Sequence, residues 1–150
     1  MALIRLTKEF NFEMAHYLSG YDGACKNIHG HSYRLFVTVI GEPISEEKHS
    51  KLGMVMDFGQ LKELVHRRII SKLDHALLIH DTPESKELQP LLTKNFEKVE
   101  IVAYQPTCEN LLIHFAAVIK AELPSNIRLH HLRLNETITS FAEWYDEDNK

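Results

Sequence analysis

Cysteine is scarce in this chain: Cys25 and Cys108 are the only two among 150 residues, and they form no Cys-x-x-Cys pair. That leaves no disulfide framework and points to a reducing compartment, with the cytoplasm as the default expectation. No apolar run approaches the roughly 20 residues that span a bilayer. The opening Met1-Ala2-Leu3-Ile4-Arg5 carries no signal-peptide apolar core, so no membrane partner is expected. An excess of positive charge is missing too. The net charge is −4, whereas a nucleic-acid-binding face would be basic. A small anionic ligand stays compatible if a few cations converge locally. There is no internal repeat and no low-complexity linker, so residues 1–150 read as one domain of common size. The 44% of apolar and 25% of charged residues have the balance of a globular protein able to bury a core.

What the chain does have is histidine, ten residues of it. The densest stretch is Cys25-Lys26-Asn27-Ile28-His29-Gly30-His31. In an extended segment side chains alternate faces, so His29 and His31 point the same way. Two such imidazoles can grip one metal ion, and Gly30 adds no bulk beside it. Imidazole suits zinc, which takes nitrogen and sulfur ligands in a tetrahedron. A third ligand has to come from elsewhere. His16, closing Phe12-Glu13-Met14-Ala15-His16, is the best candidate. Ten histidines also produce His-x-His pairs by chance. A metal held here has two possible surroundings: Cys25 closes a structural site, or a position stays open for chemistry. Spacing leaves both open.

Taken in order, residues 2–14 alternate loosely and predict a first strand that delivers His16 to its end. Residues 18–28, with Gly20, Asp22, Gly23 and Asn27, read as a loop carrying Cys25. His31 opens a second strand through Ile40, broken by Gly41-Glu42-Pro43. Asp57 is a helix N-cap with Gln60 three residues on. Phe58, Leu61, Leu64, Val65 and Ile69 give that helix an apolar stripe, and Leu73-Asp74-His75 ends it. Residues 82–97 predict a short helix and loop, and Val99–Ala103 a short strand. Thr107 caps a second main helix, with Leu111, Leu112, Phe115, Val118 and Ile119 as its buried face. Residues 127–136 and Ser140–Tyr145 read as strands, and Asp146–Lys150 as a frayed tail. The expected fold class is α+β, an antiparallel sheet with two main helices on one face.

Five separated segments carry a family resemblance. They are Phe12-Glu13-Met14-Ala15-His16, Cys25-x3-His29-Gly30-His31, Leu73-Asp74-His75, Pro106-Thr107-Cys108-Glu109-Asn110 and Asn135-Glu136-Thr137-Ile138-Thr139-Ser140. In this order they resemble the 6-pyruvoyl-tetrahydropterin synthase / 6-carboxytetrahydropterin synthase family. The resemblance implies a tunnelling fold, with α+β subunits pairing sheets in an oligomeric ring, a trimer or a dimer of trimers, and sites at subunit interfaces. It implies that His16, His29 and His31 hold Zn2+ and that Cys25 is the catalytic thiol. Asp74 and His75 would be its proton relay, from the same subunit or across an interface. Glu136 would hold the pterin ring, with Thr107 and Glu109 lining the same pocket. Two departures stand out. Met14 occupies a position that is often alanine, and the stretch between Asp74-His75 and Pro106 looks longer than in compact members.

The implied substrate is 7,8-dihydroneopterin triphosphate. A carboxylate accepts two hydrogen bonds at once, which suits Glu136 to the adjacent N–H donors of a pterin edge. Zinc on three neutral histidines would act as a Lewis acid on the substrate's side-chain oxygens. The reactive form of a cysteine base is the thiolate, favoured by nearby cations. Asp74 would orient His75 as a carboxylate does in a catalytic triad. Each residue also has a plain reading. Glu136 can be an exposed strand glutamate, Cys25 and Cys108 inert thiols, and Asp74-His75 a helix end where histidine suits the dipole. His66, His114 and His130 read as structural or surface residues. Three residues separate Cys25 from His29, the gap of the carboxy-forming branch, which serves queuosine biosynthesis. The alternatives are 6-pyruvoyl-tetrahydropterin formation without carbon loss, or a non-catalytic zinc or pterin module. Lys26, Arg34, Arg128 and Arg133 are candidate triphosphate contacts.

Overall fold

Alternation of apolar and polar side chains builds the two longest strands. β1 (Ile4–His16) turns Phe10, Phe12, Met14 and His16 to one face, and all four are buried. β2 (His29–Gly41) lies antiparallel to β1 from Ile4 opposite Gly41 to His16 opposite His29. Its inward residues Tyr33, Leu35, Val37 and Val39 are each 0% exposed. Phe12 faces Tyr33 across the ladder, and their rings stack at 4.9 Å. The computed structural model describes residues 2–150.

Asp57 caps α1 (Phe58–Val65) by accepting from the Gly59 N–H. The rod runs on through a π-helical turn (His66–Ile70) into α2 (Ser71–Leu73). A π turn holds one extra residue. It moves the buried stripe along by one, so Leu61, Leu64 and Val65 are followed by Ile69, Ile70 and Leu73. α3 (Leu88–Asn95) is short, as expected. α4 (Cys108–Lys120) starts at Thr107, whose hydroxyl accepts from the Asn110 N–H, and buries Leu111, Leu112, Phe115, Ala116 and Ile119. The α1–α2 rod and α4 share one core with the inward residues of β1 and β2.

The sheet departs from the expected all-antiparallel form. Among the described residues it has six strands in the order β4-β3-β1-β2-β5-β6, the other four being β3 (Ala76–His80), β4 (Val99–Val102), β5 (Arg128–Asn135) and β6 (Phe141–Tyr145). β3 runs parallel to β1 and to β4, so the sheet is mixed. The sequence pattern does not mark β3 as a strand. Its Ala76-Leu77-Leu78-Ile79 run does not alternate, because Leu78 and Ile79 are both 0% exposed on opposite faces. Burial on both faces is the habit of parallel strands joined by helical crossovers. Leu92 and Phe96, in and just after α3, line a cleft with Ala15 and Leu77, which places α3 on the face away from the two main helices. The tail is a second correction. Asp146–Asn149 forms a 3-10 turn, with Asp146 paired to Lys120 at 2.9 Å and Asn149 donating to the Tyr145 carbonyl at 2.7 Å.

Phe115 is 0% exposed and meets Phe12 edge-on at 6.3 Å, whereas Ile138 is 99% exposed. Phe115→Ala should cost about 3–5 kcal/mol in urea denaturation, the range for emptying an aromatic core position. Ile138→Ala should stay within about 0.5 kcal/mol.

Candidate active site

The β1–β2 pairing ends with His16 opposite His29, and His31 sits two residues further along β2 on the same face. Three ring nitrogens, one from each of these histidines, lie within 4.8 Å of one another. His16 Nε2 and His29 Nε2 are 3.1 Å apart. The other nitrogens of these two rings are committed. His16 Nδ1 donates to the Pro106 carbonyl and His29 Nδ1 to the Asn27 carbonyl, both at 2.7 Å. Those bonds leave both Nε2 lone pairs facing inward, the way ordered outer partners fix metal-binding histidines. His31 Nε2 is buried without a hydrogen-bond partner. A tetrahedral zinc with nitrogens at about 2.0–2.1 Å spaces them about 3.3–3.4 Å apart, near the 3.1 Å between His16 and His29. The residues present therefore fit a divalent ion. Cys25 is not in this group of ligand atoms.

Charge favours the ligand state. Burial is the main reason His16 is pulled down to about 4, with His29 and His31 adding to it and the Pro106 bond opposing. His31 is also lowered, chiefly by burial, while Glu136 pulls the other way. A neutral imidazole is what a metal requires.

Beside the trio lies a cleft of roughly 310 Å³. His16, Cys25, Thr107, Glu109 and Glu136 all line it, so these five residues singled out in the sequence meet in one place. Cys25 sits on the 3-10 turn Ala24–Lys26, half-buried, and its carbonyl accepts from the Leu18 N–H at 2.8 Å. Glu136 follows β5, and its Oε1 is 3.7 Å from His31 Nε2. With 27% of its side chain exposed, it is not a freely solvated strand glutamate. Thr107 also serves as the α4 cap, and Glu109 occupies the first turn of that helix, where a carboxylate suits the dipole. Cys108 borders the same cleft, but its thiol is engaged within the chain. It donates to the Leu134 carbonyl, and burial pushes its thiol up to about 12.

Asp74 and His75 are not in this cleft. His75 lines the clefts on the sheet's other face, beside Glu13 and Ser32 and beside Leu92 and Phe96. Asp74 Oδ1 accepts from the Glu13 N–H at 2.9 Å and lies 3.1 Å from His75 Nδ1. The Glu13 N–H is the main cause holding the Asp74 carboxyl below its usual range. His75 is the only non-glycine residue with positive φ among those described, at +64°. That conformation costs on the order of 1 kcal/mol or more and recurs at functional sites. Its side chain is 78% exposed. Of the basic candidates, Arg34 is tied to Glu9 at 2.7 Å, and Arg133 stacks over Phe141 at 3.7 Å.

Sequence reasoning missed Tyr33 and the Pro106 and Asn27 carbonyls. Tyr33 was within reach, since residues 29, 31 and 33 share parity. Backbone acceptors leave no mark in a sequence.

The metal-free protein should weaken in acid. The unfolded chain protonates this histidine near about 6.5 and the folded chain only near 4, so the unfolded state binds more protons between those values. His16 thus adds about 3 kcal/mol above that window, lost as pH falls through it. Urea melts of metal-free protein from pH 7 to 4 should show this slope, reduced in His16→Gln.

The description "6-pyruvoyl tetrahydropterin synthase" matches residues 5–147. A Haemophilus influenzae protein named 6-carboxy-5,6,7,8-tetrahydropterin synthase is 34% identical over 145 residues, spanning 96% of this chain and 100% of the relative. A Synechocystis protein of the same name is 33% identical over 139 residues, spanning 92% and 90%. Among solved structures, Caenorhabditis elegans 6-pyruvoyl tetrahydropterin synthase shares the fold with a TM-score of 0.67 at 24% identity, over 97% of this chain and 96% of that one. An uncharacterized Wolinella succinogenes protein superposes at a TM-score of 0.81 and 21% identity, over 97% and 99%. With the family pattern matched from Arg5 to Glu147, this chain belongs to the 6-pyruvoyl tetrahydropterin synthase family.

Proposed function

We propose that residues 1–150 act as one unit, a zinc-dependent 6-carboxy-5,6,7,8-tetrahydropterin synthase. It converts 7,8-dihydroneopterin triphosphate to the 6-carboxy product, releasing acetaldehyde and triphosphate, in the cytoplasmic route to queuosine. The observation that carries this reading is the three-histidine cluster set beside a cleft that also holds Cys25 and Glu136. The names of the curated relatives reported above support the carboxy product, and so does the three-residue gap before His29.

His16, His29 and His31 would hold the zinc, which supplies Lewis acidity toward the substrate's side-chain oxygens when bound. Glu136 accepts from the adjacent N–H groups of the pterin edge and sets the ring's orientation. Thr107 and Glu109 border the ring's end of the cleft. Cys25, as thiolate, takes the proton from the side-chain carbon. Triphosphate then leaves by elimination, and a retro-aldol-type cleavage that takes up one water leaves the carboxylate on the ring and releases acetaldehyde. Asp74 and His75 face away from their own Cys25. In this reading a second copy of the chain brings them to it, in a ring of three or of two stacked threes. Asp74 fixes the His75 ring, and His75 passes the proton to and from the thiol.

The 6-pyruvoyl product is the second reading, favoured by the names of the structural neighbours. Incubation with 7,8-dihydroneopterin triphosphate, mass analysis of the pterin and an acetaldehyde assay separate the two. Cys25→Ala should lower triphosphate release by about a hundredfold or more while zinc content stays unchanged. Chelation of the metal should abolish turnover and leave the fold intact.

The divided site has its own test. Cys25→Ala and His75→Ala protomers, each inactive alone, should regain part of the wild-type rate once unfolded together and refolded. No regain would place both residues in the service of one protomer.

A further inference from the structure

Two buried side-chain atoms around the histidine cluster have no hydrogen-bond partner among the described residues, His31 Nε2 and the Tyr33 hydroxyl. The proposed metal accounts for the first. Nothing accounts for the second. Tyr33 is 0% exposed, and its ring lies flat on Phe12 and edge-on to His16 at 6.3 Å and His31 at 5.6 Å. A buried hydroxyl left unpaired is costly, and most such groups in native proteins find a partner.

The strand register indicates where that partner is. β2 pairs with β5 through Leu35 opposite Leu134 and Arg34 opposite Asn135. One further step sets Tyr33 opposite Glu136. The Glu136 carboxylate makes no side-chain hydrogen bond among the described residues, and it leans on His31 Nε2 at 3.7 Å. That nitrogen is the atom a metal would take. Once it is taken, Glu136 loses its neighbour and stands beside the open side of the cluster. An unrestrained carboxylate there would turn onto the metal, since carboxylate oxygen is an ordinary zinc ligand. It would then be unavailable to a pterin.

We propose that Tyr33 is a positioning residue, whose hydroxyl donates to Glu136 once His31 is committed to the metal and keeps that carboxylate aimed at the ring of a pterin. This rests on the function proposed above, and the hydroxyl itself touches no ligand. The donor is spent only in the loaded state, so the metal-free protein carries it unpaired.

Tyr33→Phe removes that one oxygen and keeps the stack on Phe12. The metal-free variant should be at least as stable as wild type in urea. The zinc-loaded variant should hold the same amount of zinc yet bind neopterin, followed by its fluorescence, on the order of tenfold more weakly, the loss of one hydrogen bond to a charged group. Stability kept and affinity lost is a combination that a purely structural hydroxyl does not give. Neopterin affinity within threefold of wild type would overturn the proposal. So would a metal-free variant that is destabilised or does not fold, because the hydroxyl would then have a structural partner. If zinc-loaded wild type fails to bind neopterin, the pterin reading itself fails, and this inference goes with it.

Discussion

The register of β1 against β2 is the constraint on which the site depends. Thirteen residues of β1 pair without a break, and the last pair sets His16 against His29. A slip of one residue would turn every inward side chain of a strand to the other face. The stacked Phe12 and Tyr33 rings, the buried Phe10 and the fully buried Leu35, Val37 and Val39 make such a slip expensive. The geometry of the histidine cluster is therefore set by core packing several residues away, not by contacts among the imidazoles. Three imidazoles crowded with ring nitrogens within 4.8 Å gain little from one another. They stay there because the ladder holds them.

The polar groups around that cluster divide into those satisfied within the chain and those left waiting. Two imidazoles are tied to carbonyls, and Asp74 is tied to the Glu13 amide. His31 Nε2 and the Tyr33 hydroxyl are unpaired. His75 is held in a left-handed conformation with its ring exposed, just before Ala76 joins β1 opposite Met14. The strained residue is thus pinned between a helix end and the first rung of a parallel pair. Such features are what a site completed by something outside the single chain would show, and the proposed ion and second copy are that something.

Much of this was legible in the sequence, and the reasons are local. β1 and β2 alternate, α1 and α4 carry both a stripe and a capping residue, and each of these signals acts over a few residues. The meeting of His16 with His29 and His31 followed from parity and from separated motifs in the right order. Cys25, Thr107, Glu109 and Glu136 were singled out from the same motifs and converge on one cleft. The parallel half of the sheet was not legible. β3 is a short apolar run buried on both faces, and its pairing with β1 depends on a helical crossover, not on its own pattern. The separation of Asp74 and His75 from Cys25 could not be read from motif order, which does not say which face of a sheet a turn reaches; only the family resemblance raised a relay supplied across an interface. The ordered tail was missed because its anchor, Lys120, lies 26 residues earlier.

Pro106 has a consequence beyond holding an imidazole. Its carbonyl stands just before Thr107, the cap of α4, and that helix is seated in the core by Phe115 and Ile119. The basicity of one histidine is thereby coupled to the docking of a helix ninety positions later in the chain. Any disturbance that lifts the start of α4, by heat, by denaturant or by a substitution far from the cleft, would free the His16 ring to change tautomer. Release of a bound cation would then be an early step in unfolding, ahead of the collapse of the sheet.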